Sequence, residues 1–210
     1  TGDAVASEST NSSTDFLARL CVGWEAAAVR AEDLGVRVVR VRMGVVMGRG
    51  GGALKFLLPL FSKGLGGPLG NGQQWMSWIH LEDLVQVMMA ALHDDRFRGA
   101  VNAVAPDSVR NGRFSEELAA SVGSTARMAV PGVLLRLGMG HASSMLLNSS
   151  RVDDKTLRAM DFEFLYPTLR SALREITDSE VSERGQSPSA SKSADSVPNL
   201  RASVGLPVKE

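Results

Sequence analysis

The sequence predicts an α/β protein in which helices cross over a parallel sheet. Two observations support this class. Up to about residue 104, β-branched alternating segments are separated by stretches with helical spacing of apolar residues, as is typical of parallel sheets. With 44% hydrophobic and 22% charged residues, the 210-residue chain also carries enough apolar side chains for a folded core. The strands are too few to complete such a sheet.

The composition excludes several classes of protein. Because 23 Lys and Arg residues balance 23 Asp and Glu residues, the broad basic field of a nucleic-acid-binding protein is absent. The single cysteine and three widely spaced histidines exclude a disulfide framework and predict no metal site. No apolar run is long enough to cross a membrane. Without a visible leader or initiator Met, a cytoplasmic or organellar location is expected, and a fragment is one interpretation.

The N-terminal third predicts a helix followed by a strand. Apolar residues recur at helical spacing over residues 16–31, with Thr14 or Asp15 as the cap. Cys21 falls on the apolar face of this helix, so we expect it to pack in the core. The β-branched alternation of residues 36–47 predicts a strand.

Glycine-rich segments and further helices follow. Residues 48–52 predict a turn, and residues 64–72, with five glycines and one proline, predict an irregular loop. The other predicted elements are helices 53–61, 83–93, 111–122, 131–139, 153–160 and 169–176, and strands 75–80, 100–104 and 127–130. The second of these helices is expected to turn five residues inward, namely Leu84, Val85, Met88, Met89 and Leu92. The Ser-rich residues 177–210 predict a disordered tail.

One glycine pattern has the outline of a dinucleotide-binding fingerprint. Gly48-x-Gly50-x-x-Ala53 follows a predicted strand and opens a predicted helix. The full motif requires a second strand that ends in an acidic residue about 20 residues further on. The glycine-rich loop stands there instead, so we interpret the pattern as a glycine turn near the site.

The segment Trp78-Ile-His80-Leu-Glu82-Asp83 is the second candidate. A histidine beside two carboxylates is suited to acid–base chemistry. In the structural alternative, Asp83 caps the next helix and His80 is buried together with Trp78. The residues leave both interpretations of His80 open. The sequence contains no Gly-x-Ser-x-Gly nucleophile elbow and no nucleotide-binding P-loop.

Taken together, residues 15–28, 42–53, 64–72 and 78–83 carry a specific resemblance. They resemble the epimerase-like branch of the extended short-chain dehydrogenase/reductases, the NAD-dependent epimerase/dehydratase family. From about Val109 to residue 176, the sequence resembles the small C-terminal domain of unknown function attached to this branch.

This resemblance implies the layout of the chain. Residues 1–108 would be the C-terminal part of an NAD(P)-binding, Rossmann-like doubly wound sheet, and residues 109–176 a small α+β domain, followed by the tail at 177–210. NADP or NAD is the implied cofactor. In the family, the pyrophosphate-binding half of the sheet precedes everything present here.

The sequence departs from the family where the chemistry is done. The family's catalytic Tyr falls on Leu17 and its Lys on Cys21, and neither side chain can perform that proton transfer. We therefore assign no catalytic residue. The arginine that sugar-nucleotide enzymes place on the substrate phosphate falls on Met76 or Ser77, so a nucleotide-sugar substrate is not implied.

The resemblance also implies where a complete protein would bind its ligands. The residues whose backbone would face the nicotinamide are Gly44, Val45 and Val46. The residues that would line the substrate side, beside the glycine-rich loop, are Trp78, His80 and Asn111. The expected function is that of an NAD(P)-dependent epimerase/dehydratase-like oxidoreductase acting on an unidentified small molecule. The alternatives are a non-catalytic NADP-binding regulatory or scaffold protein and an inactive truncated fragment.

Overall fold

The structure is a computed structural model that describes residues 3–11, 13–126, 128–129 and 149–185. Its helices are α1 (Phe16–Val29), α2 (Gly52–Ser62), α3 (Leu81–His93), α4 (Asn111–Ser121), α5 (Lys155–Ala159) and α6 (Leu169–Gly185). Its strands are β1 (Val5–Ala6), β2 (Val39–Met43), β3 (Val45–Met47), β4 (Trp75–Met76), β5 (Trp78–His80), β6 (Gly99–Ala103), β7 (Val109–Arg110) and β8 (Arg151–Val152).

The strands pair mainly in parallel, which confirms the α/β class. β2 pairs with β6, β3 with β5, and β1 with β8, all in parallel, whereas β4 and β7 are antiparallel. The strand predicted over residues 36–47 is interrupted at Gly44. Before this residue the chain pairs with β6, and after it with β5. A change of partner at Gly44 therefore separates β2 from β3.

Apolar side chains cover both faces of the paired strands. Trp78 and Ile79 are consecutive and fully buried, so their side chains point to opposite faces. The cluster on the Trp78 side draws on α2, α4 and α6, and includes Leu54, Leu58, Phe114, Leu118, Leu173 and Ile176. The cluster on the Ile79 side draws on α3, β6 and α5, and includes Leu84, Val87, Val101 and Leu157.

The first cluster contains residues from both sides of the predicted boundary at residues 108 and 109. Trp78 precedes the boundary and Phe114 follows it, yet both belong to the same core. The division into two domains stays a prediction.

Helix α1 lies on the surface. It begins at the predicted cap, where the Asp15 carboxylate accepts a hydrogen bond from the Ala18 N–H. None of its residues is buried; Phe16 is 70% exposed and Trp24 66% exposed. Cys21 is exposed as well, so the prediction that it packs in the core is wrong. No element of the described chain covers the apolar face of this helix.

Helix α3 shows the same departure from the expected burial. Leu84 is buried as predicted, together with Val87 and Ala91. The other four residues predicted to turn inward are exposed, namely Val85, Met88, Met89 and Leu92. Only one flank of α3 therefore packs against the described strands.

Helix α6 continues nine residues beyond the predicted end of the folded part. It begins after Thr168, whose hydroxyl accepts a hydrogen bond from the Ser171 N–H, and it runs to Gly185. Thr177 is buried, and its hydroxyl donates to the Leu173 carbonyl within the helix. The prediction of disorder is therefore wrong for residues 177–185. The predicted strand 127–130 and helix 131–139 lie largely or wholly outside the described residues. No helix among the described residues is long and apolar enough to cross a membrane.

Candidate cofactor and substrate site

Gly44 brings the backbone of β3 against that of β5. Its N–H donates to the Ala103 carbonyl at 3.1 Å, and the next N–H, of Val45, donates to the Ser77 carbonyl at 2.8 Å. A Cβ atom at Gly44 would lie 2.8 Å from the Ser77 carbonyl oxygen, so a side chain does not fit here. Val45 is 39% exposed. Val45 is thus accessible at the predicted nicotinamide wall, whereas the backbone N–H groups of Gly44 and Val45 are already hydrogen-bonded.

An ion-pair network holds α1 beside this wall. The guanidinium of Arg42 donates to both carboxylate oxygens of Glu25, at 2.7 and 2.8 Å, and Arg40 donates to Glu25 at 2.9 Å. The Arg42 hydrogen bond, reinforced by the charges of Arg42 and Arg40, lowers the pKa of Glu25. Leu17, which the resemblance predicts in the position of the family's Tyr, lies on the same helix and is 40% exposed. The network therefore positions a helix that offers no proton-transfer group at that position.

The side chain of Trp78 belongs to the core. It is fully buried, and its indole N–H donates to the Asp107 carbonyl at 2.6 Å. The indole has no surface left for a ligand, so the structure does not support a substrate-lining role for this side chain. As a residue of β5, Trp78 pairs with Val45 of β3. This pairing places the predicted nicotinamide-facing residues next to the predicted substrate-lining residues.

His80 is buried in a polar junction between β5, α3 and α6. Its Nδ1 accepts from the Glu82 N–H at 3.2 Å, and its Nε2 lies 3.1 Å from the Glu175 carboxylate. The Tyr166 ring packs against the imidazole, with 4.0 Å between the ring centroids. Burial lowers the pKa of His80. Sequence reasoning gave no sign of Glu175 or Tyr166, because both are remote along the chain.

The cap of α3 is His80, and not Asp83 as the structural interpretation predicted. Asp83 is fully buried, and its carboxylate accepts hydrogen bonds from the backbone N–H groups of Leu165 and Tyr166, at 2.7 and 3.1 Å. It satisfies two donors of the segment that leads into α6. Asp83 is therefore a structural anchor of the C-terminal segment.

Asn111 fastens the glycine-rich loop. Its side-chain oxygen accepts from the Leu69 N–H at 2.7 Å, and the Gly112 N–H donates to the Gly72 carbonyl at 2.8 Å. Only 2% of Asn111 is exposed. Asn111 is the first residue of α4, and Arg110 precedes it as the cap. Its part in any substrate site is to hold the loop.

The turn at residues 48–51 joins β3 to α2, as the sequence predicted. The irregular loop follows α2. Arg49 of the turn forms an ion pair with Glu175 of α6. The turn is thus bound to the C-terminal helix through the same carboxylate that contacts His80. The described residues contain no group of His, Cys, Asp or Glu side chains suited to holding a metal ion.

Two family models match the chain. The first, described as the NAD dependent epimerase/dehydratase family, matches residues 3–103. The second, described as a domain of unknown function (DUF1731), matches residues 130–176. The chain belongs to the NAD dependent epimerase/dehydratase family.

Relatives within this family are similar over most of the chain. The epimerase family protein SDR39U1 homolog, chloroplastic, of Arabidopsis thaliana is 38% identical over 80% of this chain and 48% of its own length. The epimerase family protein SDR39U1 of Mus musculus is 39% identical over 80% of this chain and 58% of its own. The chain therefore spans about half the length of these epimerase-family relatives.

A solved structure supports the same fold. The crystal structure of human epimerase family protein SDR39U1 (isoform 2) with NADPH is 36% identical to this chain, with a TM-score of 0.80. The match covers 84% of this chain and 60% of the human one. The described fold is therefore that of a Rossmann-like epimerase-family protein.

Proposed function

We propose that this chain forms the nicotinamide-side and substrate-side walls of an NADP(H)-binding protein of the epimerase family. The similarity to the human relative solved with NADPH carries the proposal. Within it, the backbone of Gly44, Val45 and Val46 faces the nicotinamide. The local geometry supports this placement, because the strand changes partner at Gly44 and the next residue, Val45, is 39% exposed.

In this proposal, the predicted substrate-lining residues His80 and Asn111 support the site from the protein interior. His80 and Asn111 are both buried and both hydrogen-bonded to segments that could meet a ligand. His80 holds the C-terminal helix, and Asn111 holds the glycine-rich loop. The ligand is a small molecule whose identity neither residue specifies. We expect a cytoplasmic or organellar location, since one relative is chloroplastic by name.

A non-catalytic NADP-binding protein is the second candidate. Leu17 and Cys21 favour it, because both lie exposed on α1 in the positions of the proton-transferring Tyr and its Lys. The chain's one tyrosine, Tyr166, is elsewhere and packs on His80. Loss of NADPH absorbance on incubation with a protein-free extract of cellular small molecules would favour the enzyme. Binding without consumption would favour the second candidate.

The binding proposal is tested by saturation-transfer NMR of NADPH with the full chain, together with a thermal-shift titration. We expect stronger transfer to the nicotinamide protons than to the adenine protons, because the proposed contacts at Gly44, Val45 and Val46 all lie at the nicotinamide. Val45→Glu should abolish the transfer by placing a carboxylate at the wall. Val85→Glu, on the exposed flank of α3, is the matched control. The absence of both saturation transfer and thermal stabilisation at millimolar NADPH would overturn the proposal.

A further inference from the structure

Two arginines flank one indole at the meeting point of three strands. The guanidinium carbon of Arg110 lies 4.3 Å from the Trp75 ring centroid, and that of Arg151 lies at the same distance. Trp75 and Arg110 are partners in the antiparallel pair of β4 and β7, and Arg151 opens β8. Strand pairing holds Arg110 against the ring, and a hydrogen bond from the Ser150 N–H to the Trp75 carbonyl brings Arg151 beside it. Contact of both charges with the ring is favoured by the electron-rich ring face.

The one carboxylate at this cluster is that of Asp3. The indole N–H of Trp75 donates to the Asp3 carboxylate at 2.8 Å, and Arg110 forms an ion pair with the same oxygen. The Trp75 hydrogen bond, aided by the charges of Arg110 and Arg151, lowers the pKa of Asp3. Arg151 forms no ion pair with any carboxylate of the described residues. The cluster thus carries two positive charges and one negative charge, and the Trp75 N–H and Arg110 converge on the Asp3 carboxylate while Arg151 adds its charge nearby.

Asp3 is held loosely compared with the groups that bind it. Its side chain is 71% exposed, whereas that of Arg110 is 34% exposed. Exposed ion pairs contribute about 0–1 kcal/mol, so replacing this carboxylate by another anion costs little. Arg110 also donates to the Gln73 carbonyl, which keeps its guanidinium in place when the carboxylate leaves. The donors are fixed and the acceptor is replaceable.

The cluster lies beside the proposed nicotinamide wall. Trp75 is two residues from Ser77, whose carbonyl accepts the Val45 N–H. Two residues of a strand span about 7 Å. Trp75 therefore lies within about 7 Å, along the chain, of the residue that hydrogen-bonds the wall.

We propose that Arg110, Arg151 and the indole N–H of Trp75 form a binding site for an anionic group of the small-molecule substrate. The group is a phosphoryl or carboxylate group and takes the place of the Asp3 carboxylate. A guanidinium pair suits either anion, because both accept paired N–H donors. Calling the ligand a substrate rests on the proposed function, whereas the anion site itself does not.

The test is calorimetric titration of the full chain with inorganic phosphate and, separately, with malonate, in the absence of NADPH. Asp3→Asn should tighten binding several-fold, because it removes the competing carboxylate. Arg151→Gln should weaken it by roughly tenfold, the loss expected for one charge-assisted hydrogen bond. Arg96→Gln is the matched control, because Arg96 pairs with Asp94 away from the cluster. The anion that binds more tightly identifies the group.

Unchanged affinity in Asp3→Asn, together with equal affinities in Arg151→Gln and Arg96→Gln, would overturn the proposal. Should Arg151→Gln fail to fold, Arg151→Lys keeps the charge without the planar fork and should bind with intermediate affinity. If the chain binds the anion but does not bind NADPH, the proposed function is overturned and the anion site stands.

Discussion

His80 and Glu175, 95 positions apart, are joined by a 3.1 Å hydrogen bond between the imidazole Nε2 and the carboxylate. Because Nδ1 accepts the Glu82 N–H, the proton of the neutral ring lies on Nε2 and is donated to Glu175. The same carboxylate pairs with Arg49. One neutral imidazole therefore caps α3 and also ties it to α6, and a second proton on the ring would end the capping.

We expect the free energy of unfolding to decrease as the pH falls below about 6.5. Burial holds the pKa of His80 below its usual 6.5, so the folded state binds fewer protons than the unfolded chain. The stability from neutral His80 is complete above pH 6.5 and is lost as the pH falls through the folded pKa. Urea unfolding at about pH 7.5 and 5.5 measures this loss. The loss should be smaller in His80→Gln and unchanged in His93→Gln, where the replaced ring is exposed. Equal losses in all three proteins would refute the assignment.

Asp83→Ala should destabilise the fold by about 3 kcal/mol, because it leaves two partly buried N–H groups without their charged acceptor. Those groups belong to Leu165 and Tyr166, so α6 should loosen first. Urea unfolding measures the free energy, and hydrogen exchange of the two amides locates the change. Asp95→Ala is the control, because Asp95 is 89% exposed in its pair with Arg37 and should cost no more than about 0.5 kcal/mol. Similar costs for the two variants would contradict the anchoring role of Asp83.

The helices and strands were predictable because their signals are local. The Asp15 cap, the spacing of apolar residues in α1 and the β-branched alternation of β2 are each contained within one segment. Burial was less predictable, because it depends on what covers a face. Periodicity gives α1 an apolar side, but no described element packs on it, and Trp24 and Cys21 remain exposed.

The site was predicted only in part, for a related reason. Gly44 was identified only through the resemblance to the family, because the β-branched alternation predicted an uninterrupted strand over residues 36–47. The roles of His80 and Asn111 depend on Glu175 and Leu69, which lie 95 and 42 positions away. No spacing rule relates such residues. A histidine followed by two carboxylates left both acid–base chemistry and a structural role open, and the folded chain uses His80 and Asp83 to hold the C-terminal segment.

Two tryptophans give a matched comparison of burial. Trp78→Ala should cost about 3–5 kcal/mol, because it removes a fully buried side chain from the core. Trp24→Ala should cost less than about 1 kcal/mol, because Trp24 is 66% exposed. It should also reduce binding of a hydrophobic dye, since it removes part of the exposed face of α1. Chemical unfolding and dye fluorescence provide the measurements. A cost for Trp24→Ala close to that of Trp78→Ala would mean that α1 is covered in solution.

Gly44→Ala should destabilise the fold by about 1–3 kcal/mol, the usual cost of forcing a methyl group into a packed space. Its Cβ would lie 2.8 Å from the Ser77 carbonyl oxygen and 3.0 Å from the Trp78 nitrogen, both backbone atoms that can move only with β5. The Val45 hydrogen bond to Ser77 should lengthen, and its amide should exchange faster. Gly23→Ala is the matched control, because a Cβ there meets nothing within 4 Å and a helix gains up to about 1 kcal/mol from the exchange. Wild-type stability in Gly44→Ala would show that β3 and β5 do not approach each other at this residue, and the nicotinamide wall would lose its geometric basis.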